Sequence, residues 1–99
     1  MEYKREDEPK VRFTVPDRPS VRQQLQYLGA GVSAGGSDFF LSLWRGALVL
    51  VDEWECEIIP NPRKLDLDKV DDLKITEVVT WVGMRVREFV NSLDNVSKN

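Results

Sequence analysis

The chain has 99 residues, of which 41% are hydrophobic and 31% are charged, and its formal net charge is -3. That length allows one modest hydrophobic core, and the composition is ordinary for a globular domain. The chain contains no histidine and a single cysteine, Cys56. This combination excludes an internal disulfide, zinc sites built from cysteine and histidine, and nucleophilic catalysis by Ser-His or Cys-His pairs.

The N-terminal part of the chain divides into a charged segment and an alternating segment. Residues 1–9 are dense in charge and end at Pro9, which predicts a disordered charged tail. Apolar and polar residues then alternate, which predicts a half-buried strand over about residues 10–15. Its apolar positions are Val11, Phe13 and Val15.

A first helix is predicted over about residues 20–29. Ser20 is a suitable N-cap, and Gln23 three residues later completes a capping-box pattern. One apolar face, predicted to lie against the core, comprises Val21, Leu25 and Leu28. The polar face is rich in uncharged glutamine and is either a solvated face or a contact surface for a partner. Its residues are Gln23, Gln24 and Gln26.

A glycine-rich segment follows this helix. Residues 29–34 fit the dinucleotide-binding pattern G-x-G-x-x-A, but that pattern requires a buried strand just before it, whereas here a helix precedes it. We therefore interpret residues 29–37 as a flexible linker.

The most apolar stretch of the chain, residues 38–59, is predicted to form the core. Its apolar residues recur every three or four positions, which predicts a helix over about residues 38–54. The following residues alternate and predict a short strand at about 55–59, paired with residues 10–15. On such a strand Glu53, Glu55 and Glu57 would form a row of carboxylates, but no substrate cleft is evident.

The second half of the chain begins with an acidic segment. Residues 52–72 hold eight acidic and three basic residues. The spacing of Asp66, Asp68 and Asp72 resembles a calcium loop, but Asp71 stands where that loop needs glycine, so helix capping and solvation are the better interpretation.

A long amphipathic helix is predicted over about residues 76–93. Its apolar stripe makes it the natural partner of the central helix, and Gly83 permits the close approach of another backbone. Trp81 lies off that stripe, so it is either a packing residue or an interface anchor. We expect a single domain over residues 10–94 and a flexible C-terminus at 95–99, with a mostly α fold containing a small β element (α+β).

The order of these sequence segments resembles that of a known protein family. A strand VRFTVP leads into RPSVRQQL, then LSLWRGALVLVDEWECEIIP, and finally a helix containing TWVGMRVREFV. This resembles the small tail assembly chaperones of long-tailed bacteriophages and prophages, in which an N-terminal strand feeds a helix that starts as Arg-Pro-Ser/Thr-Val-Arg, here Arg18 to Arg22.

The resemblance implies a non-enzymatic protein of the bacterial host cytoplasm that binds the tape-measure protein, keeps its apolar helices in solution and recruits tail-tube subunits. The alternative is a small phage inhibitor that docks on a host defence protein through its acidic residues. Neither function involves a catalytic residue, metal, cofactor, nucleic acid or membrane, and the uneven charge permits self-association into a homo-oligomer. The expected partner-binding residues are Gln23, Gln24, Gln26, Trp81, Arg85, Asp66, Asp68, Asp71 and Asp72.

Overall fold

A computed structural model describes residues 1–30 and 38–97, with side chains described up to residue 93. Three helices and a three-stranded antiparallel sheet confirm the α+β prediction. In chain order the elements are β1 (Glu2–Arg5), β2 (Val11–Thr14), α1 (Val21–Gly29), α2 (Phe39–Leu50), β3 (Trp54–Cys56), a 3-10 turn (Pro62–Lys64) and α3 (Leu73–Ser97). Most of the predicted linker, with the greater part of the dinucleotide-like pattern, lies outside the described residues.

The sheet has β2 at its centre, with β1 and β3 on either side. Phe13 pairs with Tyr3 of β1 and with Trp54 of β3. The alternation of β2 directs its apolar side chains inward, and Phe13 is fully buried. The predicted pairing of the second strand with residues 10–15 is therefore confirmed, but that strand spans Trp54–Cys56 and does not extend over residues 57–59.

The prediction of a disordered tail over residues 1–9 is wrong. Strand β1 lies inside that segment and pairs with the whole of β2. Tyr3 stacks on Phe13 with ring centroids 5.2 Å apart, and Arg12 donates to the carboxylate of Glu2 at 3.1 Å. The segment was predicted to be disordered because its average charge is high. Strand pairing depends instead on which individual side chains face the core and which face solvent beside a cross-strand partner.

The orientation predicted for the first helix is also wrong. Its bounds and its capping box are as expected. However, Val21, Leu25 and Leu28 are exposed, and Tyr27 is the buried residue of α1. The helix packs on α2 through the face that carries Tyr27, because that aromatic ring offers the largest apolar area on the helix.

The central helix ends four residues earlier than predicted. Leu50 is its last residue, and Arg63 donates to the carbonyl oxygens of Leu48 and Val51, at 2.7 Å each. The backbone N-H of Asp52 donates to the carbonyl of Thr14, so the chain pairs with the sheet directly after the helix ends. Carbonyl groups at the helix end are thus satisfied by a side chain distant in sequence.

The last helix is longer than predicted at both ends. It begins at Leu73, where the carboxylate of Asp72 accepts from the backbone N-H of Lys74 at 2.9 Å. It continues to Ser97, so residues 95–97 of the predicted flexible C-terminus are helical. The predicted stripe is confirmed as the face that packs on α2, and its fully or nearly buried members are Val78, Val79, Val82, Val86 and Phe89.

Helices α2 and α3 meet closely at Gly83. A Cβ atom at this position would lie 2.9 Å from Cβ of Leu43 and 3.4 Å from its carbonyl carbon. Neither of those atoms can move without moving α2. The predicted close approach of a second backbone is therefore confirmed.

Replacing Gly83 with alanine should lower the free energy of unfolding. Displacing α2 costs about 1–3 kcal/mol, and alanine recovers up to about 1 kcal/mol of helix propensity, so we expect a net loss of about 1–2 kcal/mol. Urea unfolding followed by circular dichroism measures it. Gly29→Ala is the matched control, since nothing lies within 4 Å of a Cβ at that site; equal destabilisation by both variants would contradict the packing explanation.

Candidate functional site

Helix α1 carries an apolar stripe on its outer surface. Val21, Leu25 and Leu28 are 72%, 63% and 53% exposed. With about 100° of rotation per residue, the three side chains lie within about 60° of one another, and Tyr27 lies about 100–160° around the helix from them. We call these three residues the α1 stripe. An ordered helix that exposes its aliphatic side chains on one face is typical of a protein-binding surface.

Side chains hold α1 in place at its N-terminus. Ser20 Oγ accepts from the backbone N-H of Gln23 at 3.1 Å, and Gln23 Oε1 accepts from that of Ser20 at 2.9 Å. Gln24 Nε2 donates to the carbonyl of Pro19 at 3.0 Å. Two of the three glutamines that were expected to contact a partner therefore help to build the helix start. Gln26 is exposed.

Tyr27 anchors α1 to the rest of the domain. Its side chain is buried in the core, and burial raises the pKa of Tyr27 to about 12. Its hydroxyl has no hydrogen-bond partner among the residues that the structure describes. The ring therefore holds the helix by apolar packing, and the hydroxyl stays neutral below that pKa.

Trp81 and Arg85 contact other residues of the fold. The Trp81 ring meets Phe13 edge-on with centroids 5.8 Å apart, and the Arg85 guanidinium lies 5.9 Å from the Trp81 ring centroid. Arg85 also donates to the carboxylate of Glu88 at 2.8 Å. Both side chains are half-buried, so the tryptophan packs against the sheet and leaves only part of its surface for a partner.

A second apolar surface lies where α2 and α3 begin. It is a groove of about 250 Å³ between the first turn of α2, the loop before α3 and the first two turns of α3. We call it the α2–α3 groove. Its apolar lining residues are Phe40, Leu41, Leu67, Val70, Ile75 and Val79.

The rim of the α2–α3 groove is acidic. Asp71 and Asp72 line it, and both are exposed. Asp66 and Asp68 lie in the preceding loop, where Asp66 accepts from the backbone N-H of Asp68 at 3.0 Å and stands 3.9 Å from the ammonium of Lys69. The structure thus brings two of the four predicted aspartates to the edge of an apolar groove.

Two of the three carboxylates that were predicted to form a row, Glu53 and Glu55, pair with one arginine, and the third, Glu57, is exposed. Arg12 forms ion pairs with Glu53 at 3.3 Å, Glu55 at 3.7 Å and Glu2 at 3.1 Å. The hydrogen bond from Arg12 holds the pKa of Glu2 below its ordinary value of 4.5. Because these carboxylates surround a cation on the outer face of the sheet, they form a structural ion-pair cluster.

Acid should weaken the contribution of this cluster to stability. The folded-state pKa of Glu2 is depressed, so its stabilising effect is present above its unfolded pKa, near 4.5, and is lost as pH falls through the folded value. Glu2→Gln should therefore reduce stability at pH 7 and flatten its decline below about pH 4.5. Urea midpoints from pH 7 to pH 3 measure this. Glu57→Gln, at an exposed position beyond β3, is the control; an identical effect there would rule out the Arg12 contact as the cause.

Two further features of the described residues bear on function. Within residues 1–30 and 38–97, no group of three or more histidine, cysteine, aspartate or glutamate side chains is arranged to hold a metal ion. In the same ranges, every helix is too short or too polar to cross a lipid bilayer.

Comparisons with protein-family models, with curated protein sequences and with solved structures give no significant match for this chain.

Sequence reasoning did not identify the two apolar surfaces. It assigned the periodic apolar residues of the first and central helices to the core, whereas the α1 stripe and Phe40 are exposed. One signal was available on α1: Gln23, Tyr27 and Ala30 share a second face at helical spacing, and Tyr27 is its only large apolar residue. Deciding which face packs inward required knowing where α2 lies.

Proposed function

We propose that this protein is a non-enzymatic, helix-binding assembly chaperone, and that its α1 stripe is the primary contact for a partner helix. The observation that carries the proposal is the outward orientation of Val21, Leu25 and Leu28 on a capped and anchored helix. Their spacing of four and three residues matches the ridge that one helix offers to the groove of another.

The energetics favour a contact of moderate strength. Fully burying an exposed aliphatic side chain contributes about 1.5–3 kcal/mol. Since these three are already partly buried, a contact that covers them contributes roughly 3–6 kcal/mol. Much of this gain is offset by the entropy lost on association. A contact of this kind forms and dissociates readily, which suits a chaperone that hands its client on to a later assembly step.

The proposed client is the tape-measure protein of a bacteriophage tail, and the proposed location is the cytoplasm of the bacterial host. The support for this partner is the resemblance of the segments around VRFTVP, RPSVRQQL and TWVGMRVREFV to tail assembly chaperones. A long helical client with exposed apolar ridges needs a covering surface of the same chemistry, and the α1 stripe supplies one. Tail-tube subunits are proposed to be recruited to the complex thereafter.

Co-expression with the tape-measure protein encoded in the same genome tests the proposal. We expect the tape-measure protein to move from the pellet to the supernatant when this chain is present, and to co-purify with it through a tag on either protein. A tape-measure protein that stays in the pellet at equal expression, or that elutes without this chain, would contradict the proposed function.

A further inference from the structure

Two surfaces of this chain complement each other. The α1 stripe is a narrow ridge of three aliphatic side chains, and the α2–α3 groove is an apolar cleft of about 250 Å³, below the usual size of small-molecule pockets. Such a cleft holds a few side chains. The ridge and the groove therefore match in chemistry and in scale.

Their charges are complementary as well. Arg18 and Arg22 stand at the N-terminal end of α1, and both are exposed. Asp71 and Asp72 stand at the rim of the groove. Within the part of the chain that the structure describes, none of these four side chains forms an ion pair with a side chain.

We propose that the α1 stripe of one copy docks in the α2–α3 groove of a second copy, with Arg22 facing Asp71 and Asp72. The occupant of the groove is thus a second copy of this chain. A foreign basic helix would need the same features, namely aliphatic residues at helical spacing with arginine beside them, and α1 already presents them on an ordered, capped helix.

The proposed contact joins two different surfaces of the chain. It is therefore heterologous, and each pair leaves one free ridge and one free groove. Association then continues to short open chains or closes into a ring. This inference goes beyond the proposed function. Self-association and client binding would use the same α1 stripe and would therefore compete for it, and the mixing experiment below distinguishes them because it contains no tape-measure protein.

A mixing experiment tests the proposal. Leu25→Glu places a charge on the ridge and leaves the groove intact, whereas Val70→Glu does the reverse, and both positions are exposed enough to accept glutamate without unfolding the domain. Masses are measured by light scattering after size exclusion and by sedimentation velocity, up to about 1 mM, the range in which a contact worth roughly 4 kcal/mol is populated.

We expect the natural chain to form species larger than a dimer as its concentration rises, and each variant alone to associate at least about tenfold more weakly. An equimolar mixture of the two should form a heterodimer that does not extend, since one variant supplies the intact ridge and the other the intact groove. A natural chain that is monomeric at about 1 mM would overturn the proposal. So would a Val70→Glu variant that associates as the natural chain does, or a mixture that gives no heterodimer.

Charge variants give a second, independent readout. Arg22→Glu and Asp71→Arg should each weaken association at least about tenfold, and combining them in one chain should restore it, because the pair is then reversed but still complementary. Leu73→Glu is the control, an exposed leucine outside the groove lining. A double variant that is as weak as its parents would overturn the pairing of ridge and groove.

Discussion

A Leu25→Glu variant is expected to lose partner binding by at least about 100-fold while its free energy of unfolding stays within about 0.5 kcal/mol of the natural value. Leu25 lies at the middle of the α1 stripe and is 63% exposed, so glutamate there disturbs no core contact. In a complex, however, the same carboxylate would be taken out of water without a counter-charge. Urea unfolding and pull-down of the tape-measure protein measure the two effects.

The matched control for this experiment is Leu73→Glu. Leu73 is also an exposed leucine on a helix, but it lies at the start of α3. We expect that variant to retain partner binding. Loss of binding in both variants would point to a nonspecific effect of added charge, and retention in both would remove the α1 stripe from the proposed function.

Replacing Phe13 with alanine is expected to lower the free energy of unfolding by about 3–5 kcal/mol. Phe13 is fully buried at the centre of β2 and contacts three aromatic rings, those of Tyr3, Trp54 and Trp81. Its loss would leave a cavity between the sheet and α3, and these rings can close it only by moving the strands. Thermal and urea unfolding followed by circular dichroism measure the loss.

Phe40→Ala is the control for the core substitution. Phe40 is the same residue type, but it is 52% exposed in the first turn of α2. We expect its replacement to cost less than about 1 kcal/mol, since little buried area is lost. Similar losses for both variants would mean that the core is not organised around β2.

These two sets of variants separate folding from binding. Variants of Phe13 should lower the stability of the domain and reduce binding only in proportion to the unfolded fraction, whereas variants of the α1 stripe should leave a stable folded domain that cannot bind. The separation follows from the arrangement of the fold, because α1 is held by Tyr27 and its cap while its aliphatic face takes no part in the core.

The sequence by itself determined the elements whose pattern is local. The alternation of β2, the capping box at Ser20 and the stripe of α3 were all predictable, because each depends on residues within one turn or one strand. The close contact at Gly83 was foreseen for the same reason, since a glycine within an apolar stripe indicates a neighbouring backbone.

Only the tertiary structure decided which surfaces are exposed. Strand β1 forms because Tyr3 stacks on Phe13 and Glu2 pairs with Arg12. Helix α2 ends at Leu50, where Arg63 donates to nearby carbonyl groups and the following N-H of Asp52 donates to the carbonyl of Thr14 in the sheet. The α1 stripe faces outward because Tyr27 packs inward on α2. Periodicity identifies the faces of a helix, but it does not say which one meets the core, since burial depends on the partner's position. Both proposed binding surfaces therefore emerged from the packing of the helices.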